Sequence, residues 1–581
     1  MSTGESGAGD VPVTTRRADG AAVLLLAVAA LVVRLTGAGA LLPHLAEPDR
    51  RLTEQVEVLA GARDPDRAPP APYPTLIPRL AASATADPPR SDALDAHLAA
   101  ASSPTLGARR VVAALSALAV PATYLLVRHV AGLGPALLAA LLLLTSLLAQ
   151  TFAQQARPHE AAAATSLFAV LAAMRARAAP GWRGTLVLVA AVAVAVGTLP
   201  VGLFVLPAVV VAFVLAGRHR GRLALAGLAT AGAGAVLGVL AFHSAAPAGG
   251  ASPGWDRALL GESFPDVRLD GTGLLAVVRW LVLYDPVLAA LGGVGLVALA
   301  ATERVPRPPP DAWVALAFAL PYLGVIGLMD APTERLVLPL VPYVAAVAAL
   351  GSARLFAALR AACGARAARP ARVGALAAAA AVLAIPGWAT ARVVTLRSRP
   401  DTVERAAAWI ASRAGPETVV LVHPRLALPL FSSGTSRAYA NTVAPMYERR
   451  WRDYQVRHGP EAPPGPVHLL PLARPDARTP AELLPRDEAS VARLVRTSRA
   501  SWLVLEVHGR AGTDPVRKAV RCRYPLAARF GSPRPIGRGY QADHDSVAAF
   551  ALAADVWGPT IEIYRLTGRL DEAELSAAPD R

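Results

Sequence analysis

Three groups of side chains in this sequence could do chemistry at the edge of an apolar environment. The first is Asp49, in the run Glu47-Pro48-Asp49-Arg50 that follows the first long apolar stretch. A carboxylate presented there can take a proton from a hydroxyl, the task of a general base. Asp49 also opens a helical pattern, with Leu52, Val56 and Leu59 on one face, and alone it reads as the cap of that helix. The second group is Arg157, His159 and Glu160, where another apolar stretch begins. Ionisable groups at such a depth are costly to keep and are functional candidates. The plain alternative is a snorkelling arginine beside a solvated His-Glu pair. The third is Arg335, near the start of TERLVLPLVPYVAAVAALG at 333–351. Its planar guanidinium could bind a phosphate through two parallel hydrogen bonds, or be one more arginine at the lip of a span. Arg34 lies inside the first apolar stretch and must snorkel or pair with an acid such as Asp49.

Other residues offer less. Tyr73-Pro74 reads as a rigid turn, and Asp285 as the cap of the apolar stretch that follows it. His44 with Asp49 suggests a metal pair, but no third ligand stands near it in sequence. His544-Asp545 reads as a solvated loop. Two cysteines, Cys363 and Cys522, make neither a disulfide framework nor a metal spacing. There is no glycine-rich phosphate loop, so no nucleotide is expected.

The elements that must position these groups are mostly apolar. Of 581 residues, 54% are hydrophobic and 17% charged, and the mean hydropathy is +0.41. A soluble protein carries about 25% charged residues, so a polytopic helical membrane protein is the class this composition selects. The net charge of +16 comes almost wholly from arginine, Lys518 being the only lysine. No basic run is interleaved with stacking aromatics, which excludes a nucleic-acid partner.

Eleven apolar runs are long enough to be spans of roughly 17–25 residues. They lie near 20–42, 110–130, 133–152, 160–178, 184–200, 201–217, 223–243, 284–301, 311–329, 335–352 and 372–392, with Pro200 dividing 184–217. A shorter segment, 271–283, is expected along the membrane surface. Arginines fill alternate loops: Arg16/Arg17, Arg128, Arg175/Arg177/Arg183, Arg218/Arg220/Arg222, Arg304/Arg307 and Arg354 to Arg372. That bias puts the N-terminus and these loops in the cytoplasm. A cleavable signal peptide over the first run is the lesser alternative.

The expected organisation is a cytoplasmic tail at 1–19, a transmembrane domain at 20–392 with a long outer loop at 43–109, and an extracytoplasmic α/β domain at 393–581. In that last part a helix is predicted over 402–414 and strands over 418–424, 501–507 and 560–566.

The order of these features resembles the GT-C glycosyltransferases of the family 39 type. These include the polyprenyl-phosphate-mannose–protein mannosyltransferases and the lipid A aminoarabinose transferases. The resemblance rests on Leu31-Val32-Val33-Arg34-Leu35 in the first span, then Glu47-Pro48-Asp49-Arg50, then Tyr73-Pro74-Thr75-Leu76. It continues through Gly107-Ala108-Arg109-Arg110, Gln155-Ala156-Arg157-Pro158-His159 and Arg335-Leu336-Val337-Leu338-Pro339-Leu340-Val341-Pro342. It ends in Gly558-Pro559-Thr560-Ile561-Glu562-Ile563-Tyr564. Each motif is short; their order covers most of the chain.

The resemblance implies inverting sugar transfer at the outer face of the cell membrane, from a polyprenyl-phosphate sugar to a lipid, polysaccharide or protein acceptor. Asp49 would be the base, and Arg335 and Arg157 would bind the donor phosphate. His159, Glu160, Arg34, Arg50 and Tyr73 are accessory candidates. No cofactor is required, and a divalent metal is compatible but not indicated. Two departures stand out. Arg50 replaces the family's glutamate after the aspartate, and His159 stands where many relatives carry aspartate. A catalytically silent envelope scaffold and a transporter or lipid flippase are the rival readings.

Overall fold

The computed structural model describes residues 13–44, 50–64, 73–85, 92–217, 220–242, 267–301, 309–330, 332–363, 368–443, 450–458, 465–473, 488–507, 515–531 and 547–566. Each of the eleven apolar stretches coincides with a helix or a pair of helices. Among the described residues, six helical segments are long and apolar enough to cross a membrane. They become seven if Leu133–Leu144 and Leu147–Ala153, bent by 54°, form one span. Trp182–Thr198, Pro200–Leu215, Thr272–Tyr284 and Pro286–Ala300 are shorter apolar helices. Pro200 divides 184–217 as its missing N–H requires: a helix ends at Thr198, and a 3-10 turn, Pro200–Val205, leads into Leu206–Leu215. The segment expected along the surface is the helix Thr272–Tyr284. The first helix, Val13–Leu35, packs on Leu94–Ala117 and Ala119–Val130, with Leu26 and Ala30 buried.

Asp285 departs from its expected role. It stands at the cap position of Pro286–Ala300 but makes no side-chain bond to that helix. Its carboxylate accepts instead from Ser146 Oγ at 2.6 Å, Leu147 N at 2.7 Å and Leu148 N at 3.3 Å. It therefore caps Leu147–Ala153, whose first amides have no partners within their own helix.

The C-terminal region forms a five-stranded mixed sheet. The strands are β1 (Val419–Val422), β2 (His468–Pro471), β3 (Trp502–Val507), β4 (Leu526–Phe530) and β5 (Thr560–Arg565), in the order β2-β1-β3-β5-β4. β1 runs parallel to β2 and β3, and β5 antiparallel to β3 and β4. Thr402–Ala411 precedes the sheet. Its buried Val403, Ala406, Ala407 and Ile410 form one helical face.

A tight knot ties this region to the exit of the first helix. Asp401 caps Thr402–Ala411 by accepting from Val403 N at 2.8 Å and Glu404 N at 3.0 Å. Its second oxygen takes His44 Nε2 at 2.8 Å and Leu41 N at 3.2 Å. His44 is thus paired with Asp401; Asp49 lies outside the described residues. Glu404 completes a group of three potential metal ligands whose donor atoms lie within 4.8 Å of one another. Beside it Gly37, at φ 84°, lies so close to Arg397 that a Cβ would come within 2.6 Å of the arginine's own. Asp401→Ala should destabilise the protein by about 2–3 kcal/mol, through the lost cap and the orphaned His44. Denaturant unfolding of the detergent-solubilised protein checks this.

Within the sheet, Glu562 on β5 receives Arg517 through two bonds, Nε at 2.9 Å and Nη2 at 2.5 Å, and the Tyr564 hydroxyl at 2.5 Å. Burial alone would raise this carboxyl; the bonds from Arg517 and Tyr564 outweigh it and hold it below its ordinary value of 4.5. A carboxyl depressed in the folded state adds stability that is complete above its unfolded-state value and fades as pH falls through the native one. Wild type should therefore lose stability below about pH 4.5. Glu562→Gln should flatten that acid limb in a pH series of unfolding curves.

Candidate functional site

The site lies where the helix His159–Ala178 begins. The preceding turn is fixed by two glutamines: Gln150 Nε2 donates to Val33 O at 2.9 Å and Gln154 Nε2 to Thr36 O at 2.5 Å. Both acceptors stand at the end of the first helix, where Arg109 Nη1 also donates to Ala38 O and Ala40 O at 2.8 Å each. The turn therefore sits at the end of the bundle that carries the His44–Asp401 knot.

Glu160, in the first turn of its helix, receives Arg34 Nη1 at 3.0 Å, with both side chains 2% exposed. So Arg34 neither snorkels nor needs Asp49; its counter-ion is Glu160. Nor are His159 and Glu160 a solvated pair. His159 is 3% exposed, and both its ring nitrogens lack a hydrogen-bond partner among the described residues. The Tyr73 ring meets the imidazole edge-on, with centroids 6.3 Å apart at 87°. Tyr73 is held in turn by Gln55 Nε2, which donates to its carbonyl at 2.7 Å.

Arg157, two residues before His159, is buried, and Arg335 is half-buried. Arg335 stands on the 3-10 segment Glu334–Leu340, which contacts the helix His159–Ala178. Two bonds brace that segment: Tyr322 Oη to Leu336 O at 2.6 Å and Trp280 Nε1 to Pro332 O at 2.8 Å. The fold thus brings Arg157, His159, Arg335 and Tyr73 together from distant parts of the sequence, with the Arg34–Glu160 pair next to them.

Asp49 lies outside the described residues, as do the Arg50 side chain and His544-Asp545. The helix that begins directly after Asp49, Arg50–Leu59, buries Leu52 and Val56 in one cluster with Ile77, Ala81, Ala108, Ala156 and Ala161. Two of those alanines flank the Arg157–Glu160 turn.

Sequence reasoning missed several buried polar groups here. Glu54 and Glu57, both almost fully buried, receive Arg63 Nη1 at 3.3 and 3.7 Å. Arg457, from the sheet region, reaches Glu57 at 3.3 Å. Glu334, beside Arg335, is 3% exposed. The available signal was spacing: Glu54 and Glu57 are three residues apart, on one face of an amphipathic helix.

Chemically, a buried histidine with two open nitrogens, edged by two arginines, can receive a polar substrate and an anion side by side. Unsatisfied buried polar groups of this kind cluster where a ligand completes them.

No known protein-family profile matches the sequence, and no curated protein matches it. Among solved structures the chain is similar to the archaeal oligosaccharyltransferase AglB from Archaeoglobus fulgidus, in complex with an inhibitory peptide and a dolichol-phosphate. The TM-score is 0.46 at 14% identity, over 85% of this chain and 70% of that one. It is similar also to ArnT from Cupriavidus metallidurans bound to undecaprenyl phosphate, with a TM-score of 0.44 at 15% identity, over 94% of this chain and 98% of that one. At these scores the likeness fixes neither chemistry nor site.

Proposed function

We propose that this chain is a multi-pass membrane glycosyltransferase of the GT-C type. It moves a sugar from a polyprenyl-phosphate donor to a hydroxyl of an envelope acceptor. The observation that carries this reading is the convergence of Arg157 and Arg335 on the unpartnered, buried His159. Two guanidiniums at the mouth of a helical bundle suit the phosphate of a lipid whose tail stays in the bilayer. The reading includes a cytoplasmic N-terminus, a transmembrane domain at 20–392 and an extracytoplasmic domain at 393–581.

The reaction is a single displacement. The acceptor oxygen attacks the anomeric carbon while Asp49 takes its proton. The bond from that carbon to the phosphate oxygen breaks, its electron pair stays with the phosphate, and the sugar inverts. Arg335 and Arg157 stabilise the charge that develops on the departing phosphate. His159 hydrogen-bonds the acceptor or the sugar in this reading, which its two unpartnered ring nitrogens support.

The test is sugar transfer by the purified full-length protein with a panel of polyprenyl-phosphate sugars and envelope extract as acceptor. One donor should be consumed by wild type, and its turnover should fall about 10²–10⁴-fold in Asp49→Asn. Equal turnover by both removes Asp49 as the base. No turnover of any donor by wild type favours the silent-scaffold reading.

A further inference from the structure

A second constellation lies in the sheet region, built from three loops. Ser433 precedes the helix Gly434–Val443 and caps it, accepting from Ser436 N at 3.2 Å. His468 is the first residue of β2, and Glu417 lies in the turn before β1. Because β1 and β2 pair with Val419 opposite His468, the glutamate and the histidine are brought side by side. Ser433 is fixed to the same edge by its N–H, which donates to Val467 O at 3.1 Å.

The distances form a relay. Ser433 Oγ lies 2.7 Å from His468 Nδ1, and His468 Nε2 lies 2.8 Å from Glu417 Oε2. The proton positions follow from the chemistry of the partners. An ionised carboxylate can only accept, so Nε2 carries the ring proton. Nδ1 of the neutral ring is then an acceptor, and the short contact from Ser433 is a hydroxyl donating to a base. That is the arrangement that activates a serine nucleophile, recognised by geometry and roles rather than by chain order. The Ser433 hydroxyl also donates to Ser436 Oγ at 2.9 Å, and Ser436 Oγ lies 3.4 Å from Nδ1; of the two acceptors for the Ser433 proton, the ring nitrogen at 2.7 Å is the nearer. Glu417 holds a left-handed backbone (φ 65°), uncommon for a residue with a Cβ, and its N–H donates to Pro466 O at 3.0 Å.

We propose that Ser433, His468 and Glu417 form a hydrolytic site for acyl esters, separate from the arginine-lined site and independent of sugar transfer. Ser433 Oγ attacks the ester carbonyl carbon and its proton passes to His468 Nδ1. The backbone N–H of Gly434, directly after the nucleophile at a helix N-terminus, is the donor this reading assigns to the developing oxyanion. The bond from the carbonyl carbon to the alkoxy oxygen breaks, and His468 returns the proton to the departing alcohol. Water, deprotonated by the same nitrogen, then releases the acid and restores Ser433. Glu417 is a positioning residue that sets the ring tautomer.

The test uses the full chain in detergent with a fluorophosphonate probe, read by peptide mass spectrometry, and with p-nitrophenyl acetate. Wild type should carry the adduct on Ser433. His468→Gln, which leaves the serine cap in place, should slow both labelling and acetate release by about 10²-fold or more. A missing Ser433 adduct in folded wild type, an adduct on another serine instead, or equal labelling in His468→Gln overturns the proposal and leaves Ser433 as a helix cap only.

Discussion

In the proposed reaction, Arg335→Gln should lower kcat for sugar transfer by about 10²–10³-fold, the loss expected when one donor to a developing negative charge is removed. The physical reason is position. Arg335 is half-buried on a short 3-10 segment, where bonds from Tyr322 and Trp280 at 2.6 and 2.8 Å hold the backbone. A guanidinium set on a braced segment need not reorganise as charge builds on the phosphate. Arg335→Lys keeps the charge but loses the planar fork and should recover only part of the rate. Steady-state kinetics with one polyprenyl-phosphate sugar checks both variants. An Arg335→Gln enzyme with wild-type kcat would remove Arg335 from the phosphate site.

Glu160→Leu should be the most destabilising single change in the bundle, at about 3–5 kcal/mol. Arg34 and Glu160 are both 2% exposed and meet at 3.0 Å. Removing the acid leaves a buried guanidinium without its counter-ion, which is far worse than losing a contact. Replacing the pair together, Arg34→Met with Glu160→Leu, should recover most of the loss, because two apolar groups of similar size need no charge compensation. Unfolding curves for the three variants decide it, and additive losses in the double variant would show that the pair is not a unit.

The apolar runs were legible because each is a continuous apolar stretch that needs no partner to be seen. Pro200 marked its own break for the same local reason. Arg157, His159 and Arg335 stood out because ionisable residues at the start of a span are conspicuous against alanine and leucine. Their convergence with Tyr73 was not legible, since it depends on how helices far apart in sequence pack. The Arg34–Glu160 pair spans 126 positions, and no local pattern pointed to it. Asp285 misled because a carboxylate before a helix usually caps that helix, whereas here the nearest bare amides belong to Leu147–Ala153. In the sheet, β1, β3 and β5 announced themselves as runs of Val, Ile, Leu and Tyr. β2 is four residues long and ends in Pro471, and β4, with the sequence LAARF and mostly exposed, lacks the alternation of a half-buried strand.

The His44–Asp401 bond joins positions 357 residues apart. A ribosome delivers His44 long before Asp401 exists, so the turn that leaves the first helix spends most of translation with a polar ring and no acid to receive it. The turn carrying Arg157 leans on this same exit through Gln154 and Thr36. That bond therefore waits for residue 401, well after Arg157 and Arg335 have been made. Nascent fragments that stop before Asp401 hold both arginines but lack the acid that caps Thr402–Ala411 and receives His44.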